Sequence, residues 1–207
     1  MKKLLILSVL FFGVGTCMIS CTGCSKTETP TAPVYTLSAE EIANLKFLRE
    51  EEKLARDVYL LAKSKYDLMI FEHISGSEQT HFERIKTLMD KYGIADPALA
   101  EEGKFSNATL QDLYYTLAQK TALSELDALI VGATIEDMDI NDIDGLLTKT
   151  TNPDLVKVYT DLNCGSRNHI RAFNSQIKNQ GSTYTPQYIS QEKFDSIINS
   201  LKEECGK

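Results

Sequence analysis

The chain has 207 residues, 43% hydrophobic and 25% charged, with a formal net charge of -7 and a pI near 5.1. That length fits one domain with appendages and is enough to bury a substantial core without disulfide scaffolding. The acidic balance and the lack of a basic patch argue against nucleic acid as a partner, and the absence of tryptophan with little proline or glycine argues against an all-β protein.

The first residues carry an address. Lys2 and Lys3 precede the apolar run 4–14, which is too short for a membrane span and reads as a secretory signal. Cys17, Cys21 and Cys24 follow at once, and Met18-Ile19-Ser20-Cys21 resembles the lipobox at which bacterial lipoproteins are cleaved and acylated. Cys21 is the expected lipidation site, with Cys24 second, which makes the protein an exported, membrane-anchored lipoprotein of the cell envelope. An ordinary cleaved signal is the alternative. A zinc-binding cysteine cluster fits less well, because no paired ligands follow nearby. Residues 25–36 are polar, proline-bearing and aperiodic, the composition of a tether. The expected division is therefore 1–24 signal segment, 25–36 tether, 37–180 helical bundle, and 181–207 C-terminal loop and short helix.

Ser38-Ala-Glu-Glu41 is a capping box, and it predicts a first long helix from Ala39 to Tyr66. Its inward stripe is Ile42, Leu45, Leu48, Glu52, Ala55, Tyr59 and Ala62, in alternating steps of three and four. A second helix is predicted from Phe71 to Tyr92, with the stripe Phe71, Ile74, Glu78, His81, Ile85, Leu88 and Tyr92, stopped by Gly93 and Pro97. About thirty residues then separate it from the next strong pattern, enough to cross the length of a bundle, and they contain a small helix predicted over Ala108–Gln119. A third long helix opens at the cap Ser124 and runs to about Leu147, with the stripe Leu126, Leu129, Ala133, Glu136, Ile140, Ile143 and Leu147. Asn152-Pro153, a cap followed by proline, starts a fourth from Pro153 to Asn179. Its stripe is Leu155, Val158, Leu162, Ser166, His169, Phe173 and Ile177. After a loop at 181–186, Ser190 caps a short amphipathic helix bearing Phe194, Ile197, Ile198 and Leu201. The expected fold class is all-α, an antiparallel four-helix bundle made of two hairpins, with one long crossover between the second and third long helices.

All four stripes are interrupted by metal-binding residue types or their neighbours, and antiparallel packing brings the interruptions to similar depth. Carboxylates facing one another in an apolar core need a cation or compensating groups, and Glu78-x-x-His81 puts a carboxylate and an imidazole on one helical face. The competing reading of Glu52 is a solvated position paired with Arg56. His73 falls off its stripe and is expected at the surface, while Tyr59 and Tyr92 are expected in the core. The acidic run from Glu136 to Asp144 is not a calcium loop, because its sixth position is Asp142 and its twelfth Thr148. Helical spacing makes Glu136 a ligand candidate, leaves Asp139 open, and assigns Asp137, Asp142 and Asp144 to a solvated face. His169 stands beside Asn168 and Arg171, which allows a local hydrogen-bond cluster instead. Cys164 reads as a small core residue, with pairing to Cys205 as the alternative for an exported protein.

Glu52-Lys-Leu-Ala-Arg-Asp-Val-Tyr59 resembles the first-helix segment of rubrerythrin-type proteins, and Ser77-Glu78-Gln-Thr-His81 resembles their second-helix Glu-x-x-His. With Arg49-Glu-Glu and Gly165-Ser-Arg-Asn-His-Ile-Arg-Ala-Phe173, the set is similar to an uncharacterised ferritin-like domain family over residues 37–179. The resemblance implies a ferritin-like bundle with a di-iron or related centre at Glu52, Glu78, His81, Glu136 and His169. The chain departs from the pattern at Ser166-Arg-Asn-His169, where related centres carry Glu-x-x-His; Asp139 is the candidate replacement for that carboxylate. The implied cofactor is iron, two ions, with manganese or a single ion as the other occupants. The implied function is a di-iron oxidase or peroxidase acting on dioxygen or peroxide; the alternatives are a metal-sequestering module without turnover and a structural bundle without metal. A homo-oligomer is compatible with all of these.

Overall fold

The computed structural model describes residues 35–206. The signal segment, the lipobox with Cys21 and Cys24, and nearly all of the tether lie outside the described residues. Among those described there are six helices and no strand: α1 (Ala39–Tyr66), α2 (Met69–Lys91), α3 (Ala108–Thr121), α4 (Glu125–Lys149), α5 (Pro153–Asn179) and α6 (Gln191–Ile198). None of these helices is long and apolar enough to cross a membrane.

Local chemistry sets the helix ends. At the start of α1, the Ser38 hydroxyl accepts from the Glu41 amide while the Glu41 carboxylate accepts from the Ser38 amide, so two of the free N-terminal donors are satisfied reciprocally. The other Glu41 oxygen accepts from the Thr150 hydroxyl at 2.6 Å, tying the start of α1 to the end of α4. Asp67 caps α1 with φ 49°, a left-handed conformation that aspartate tolerates better than most residues. Only Asp67 and Leu68 separate α1 from α2, so the chain reverses at once and the two helices pack as an antiparallel hairpin. Ser124 caps α4, and Asn152 ahead of Pro153 caps α5, its partner in a second hairpin. The hairpins meet through α1 with α4 and α2 with α5, an arrangement consistent with a four-helix bundle; α3, in the crossover, lies on α1 and α4.

The apolar interior falls into two clusters. One is built around Leu54, Tyr59, Phe71, Leu129, Phe173 and Ile177, the other around Leu45, Leu48, Ile85, Met89, Leu155 and Leu162. Each such side chain, fully removed from water, contributes about 1.5–3 kcal/mol. On α1, α2 and α5 the break between the clusters falls at the buried polar residues Glu52, Glu78 and Ser166; on α4 it lies between Ile140 and Ile143, one turn beyond the buried Glu136.

Several expectations are corrected. Asp137 is fully buried instead of solvated: the loop after α5 folds back over α4, and the Asp137 carboxylate accepts from the amides of Gln187, Tyr188 and Ile189 and from the Tyr184 hydroxyl. Asp142 and Asp144 are only half exposed, and Asp144 pairs with Lys193 and accepts from Asn163. Cys164 is not a free core thiol but is disulfide-bonded to Cys205. Tyr92 is half-buried, with its hydroxyl donating to Asp154 at 2.7 Å. The last helix stops at Ile198, which leaves Leu201 exposed.

Candidate metal centre

The polar layer brings together residues from all four long helices. Glu52 comes from α1, Glu78 and His81 from α2, Glu136 and Asp139 from α4, and His169 from α5. His81 Nδ1 lies 2.8 Å from Glu78 Oε2 and 3.3 Å from Glu52 Oε2, while His169 Nδ1 lies 2.7 Å from Glu78 Oε1 and 3.3 Å from Glu136 Oε2. Two donor groups result, Glu52–Glu78–His81 and Glu78–Glu136–His169, each with ligand atoms within 4.8 Å of one another. Glu78 belongs to both, one oxygen to each. The imidazoles stack across the layer with centroids 5.7 Å apart. Asp139 joins neither group; it is buried beside them with both carboxylate oxygens lacking a hydrogen-bond partner. His73 is exposed and takes no part.

Neighbouring residues hold this arrangement in place. The Tyr59 hydroxyl donates to Glu136 Oε1 at 2.6 Å, fixing that carboxylate's orientation. Gly165 on α5 leaves room for the His81 ring, since a Cβ there would sit 2.5 Å from His81 Cε1 and 2.6 Å from Nε2. Ser166, one residue on, donates to the Leu162 carbonyl along its own helix and supplies no donor to the layer. A cavity of about 920 Å³ between α2 and α5 reaches both histidines from the surface, with Ser77, Arg84, Glu203 and Cys205 among its walls.

The electrostatics are those of acids crowded in a dry place. Burial raises Glu52 to about 8 although His81 beside it pulls the other way. Burial likewise lifts Glu136 above its ordinary value against the opposing His169, and Asp139 well above, with Glu51, Glu52, Glu136 and Glu78 adding to the effect. Glu78 is the exception: burial works against its ionisation, but His169 and His81 on either side outweigh it and hold the carboxyl low. Burial disfavours charge on the histidines too, yet the facing carboxylates win, lifting His169 to about 10 and His81 well above its usual range.

Glu52 Oε1 and Oε2, Glu78 Oε1, Glu136 Oε2 and His169 Nδ1 are buried without hydrogen-bond partners. Glu78 Oε1 and His169 Nδ1 are 2.7 Å apart, the distance of an ion pair, without hydrogen-bond geometry. Buried polar atoms without partners are rare in folded proteins, and a carboxylate-imidazole donor set suits first-row divalent metals. These groups can hold a metal ion.

Glu51 was missed by the stripe reading. It is 1% exposed. Counting from Leu48, a step of three reaches Glu51 and a step of four reaches Glu52, and both lead on to Ala55, so the inward face at this level is two residues wide. The flank of α1 beyond it is covered by the crossover, which also escaped the pattern. Arg49 pairs with Asp96, and Lys53 donates to Asp57 and the Glu101 carbonyl. Asp57 accepts from the Gly103 amide, and Glu50 from those of Ser106 and Asn107. Each charge is paired or hydrogen-bonded, as burial demands.

Residues 41–201 match the model of a family described as an uncharacterized protein domain, DUF2202. The chain is 51% identical over 172 residues to uncharacterized protein MJ0754 of Methanocaldococcus jannaschii, covering 83% of this chain and 93% of that one. It is also similar to the crystal structure of hypothetical protein MJ0754, with a TM-score of 0.81 at 50% identity over 84% of this chain and 99% of that chain. With the match spanning the four long helices and every residue of the buried polar layer, the chain belongs to the DUF2202 family.

Proposed function

We propose that this is a ferritin-like, cell-envelope metalloprotein whose buried centre holds two iron ions and reacts with dioxygen or peroxide. The observation that carries the reading is Glu78, which offers one oxygen to each of two carboxylate-histidine groups drawn from four helices. Iron bound there supplies Lewis acidity and electron transfer towards an oxygen species. The chain's own residues do the rest. His81 and His169 provide one nitrogen to each group, Glu52 and Glu136 provide the outer carboxylates, and Tyr59 orients Glu136. The two apolar clusters above and below keep bulk water from the layer, while the cleft between α2 and α5 is wide enough to admit a small reactant to the histidine side. Manganese suits the same donors. The Cys164–Cys205 bond supports an oxidising compartment, in keeping with export and anchoring through Cys21 or Cys24.

One observation favours a second reading, a single tightly held ion without turnover: α5 contributes only His169, because Ser166 is turned to its own helix. Metal content of the purified protein after loading with iron or manganese tests both readings, alongside peroxide consumption by the wild type and a Glu78→Ala, His81→Ala variant. Two ions per chain and a peroxide rate lost in the variant are expected. One ion with equal rates leaves sequestration, and no bound metal ends both.

A further inference from the structure

The strap that follows α6 is held down without a buried apolar side chain. Phe194 and Ile197 of α6 pack into the core, but beyond them Leu201 is 90% exposed, and of residues 199–206 Glu203 alone is partly covered. Polar ties reach one stretch of α5: Asn168 donates to the Glu203 carbonyl and accepts from the Glu203 amide, the Glu203 carboxylate accepts from Arg167 and Arg171, and Arg171 also donates to the Ser200 hydroxyl. The covalent tie is the Cys164–Cys205 bond, which joins an exposed residue of the strap to a buried one of α5. A chain end of this kind frays unless it is tied down, and ion pairs near the surface hold it only weakly. The disulfide is therefore what keeps the strap in place.

The strap is also a wall. Lys202, Glu203 and Cys205 line the cavity that reaches His81 and His169. Two of the α5 residues that grip it, Asn168 and Arg171, stand beside His169 in the chain, and Gly165, next to Cys164, is the residue against which the His81 ring packs. Lifting the strap removes one side of the approach to both imidazoles. Cys205 is exposed, so its sulfur is the one an incoming thiolate reaches, and the Asn168 amide donates to that sulfur at 3.2 Å. Exposed disulfides are the ones that thiols reduce readily.

We propose that the Cys164–Cys205 disulfide is an exchange site for an external thiol, and that opening it frees residues 199–206 and uncovers the approach to His81 and His169. The external thiolate attacks Cys205 Sγ; the Cys164–Cys205 bond breaks as the new S–S bond forms, and Cys164 leaves as a thiolate that takes up a proton. A second external thiol then displaces Cys205, so two thiols are oxidised to one disulfide while the protein pair is reduced to two thiols. An external disulfide runs the sequence backwards and seats the strap again. This goes beyond the reading of the polar layer as an iron centre and does not rest on it.

Dithiothreitol, which supplies both thiols, is the probe, and the metal-free full chain is used so that the outcome is independent of the iron reading. Without denaturant it should convert Cys164 and Cys205 to thiols, read by alkylation and peptide mass spectrometry, while circular dichroism keeps its helical signal. Amide exchange of residues 199–206 should then accelerate by at least about tenfold, and diethyl pyrocarbonate should modify His169 at least about tenfold faster relative to the exposed His73. Cys205→Ser should show both faster rates with no reductant, and oxidised glutathione should restore the slow rates in wild type alone. A bond that yields only in denaturant overturns the proposal, as does reduction that leaves the His169 rate unchanged or that abolishes the helical signal. Should Cys205→Ser match the oxidised wild type in both rates, the strap is held without the bond and the proposal fails.

Discussion

Gly165→Ala tests how the His81 ring is placed. The new Cβ would lie 2.5 Å from His81 Cε1 and 2.6 Å from Nε2, whereas ordinary carbon contacts begin near 3.5 Å, so ring and helix must separate by roughly 1 Å. The ring has nowhere easy to go, being held by Glu78 at 2.8 Å and Glu52 at 3.3 Å. Two energies then compete. Alanine in a helix interior is favoured over glycine by about 1 kcal/mol, and forcing a methyl into a packed core costs about 1–3 kcal/mol. The net effect on folding is therefore modest, a loss of about 0–2 kcal/mol. Metal binding should suffer more, because disturbing the groups that orient a metal ligand typically costs about 10–100-fold in affinity. The assay pairs thermal melting of the metal-free protein with an iron or manganese binding isotherm. Gly76→Ala on α2, where a Cβ meets nothing within 4 Å, is the control and should gain stability with unaltered binding. If Gly165→Ala keeps wild-type affinity, the placement of His81 does not matter to the metal, and the argument for its role fails.

Reducing the Cys164–Cys205 bond, or replacing Cys164 with Ser, opens a cross-link between residues 41 apart in sequence. A loop of that length stabilises a fold by up to about 4 kcal/mol, so the melting temperature should drop under reductant, and an unchanged melt would show that the strap adds nothing. The strap is also pH-sensitive. Glu203 is lowered from 4.5 to about 2, first by its hydrogen bonds with Arg167, against burial, and then by Arg171. A carboxyl depressed in the folded state contributes stability above its unfolded value and loses it as pH falls, here between about 4.5 and 2. In the reduced protein, amide exchange of residues 199–206 should accelerate across that interval; a rate that does not respond to acid beyond the intrinsic pH dependence of exchange argues against the pairing.

The helix boundaries were legible where a side chain writes them. Ser38 with Glu41, and Asn152 with Pro153, set the starts of α1 and α5 because each answers free amides by a local rule that needs no tertiary knowledge. The level of the polar layer was legible for a similar reason: an acid or histidine interrupting an apolar stripe at helical spacing has few bland explanations when it happens on several helices. What the pattern did not reveal depends on contacts distant in sequence. Asp137 is buried by a loop fifty residues away, and Arg49, Lys53 and Asp57 by a crossover whose course no periodicity encodes. Glu51 was hidden by its neighbour, since a seam read one residue wide chooses between positions 51 and 52 when the packed face accepts both.

Glu78 donates to both halves of the layer through a single side chain, and α2 offers no substitute for it. One turn away lie Ile74 and Phe82, which are apolar, Ser75, which donates to its own helix at the Glu72 carbonyl, and His81, which is already engaged with Glu52 and Glu78. A change at this position is therefore felt at once by α1, α4 and α5, and no single compensating replacement on one of them restores what two groups have lost. Over generations such a position is free to vary only if three other helices vary with it.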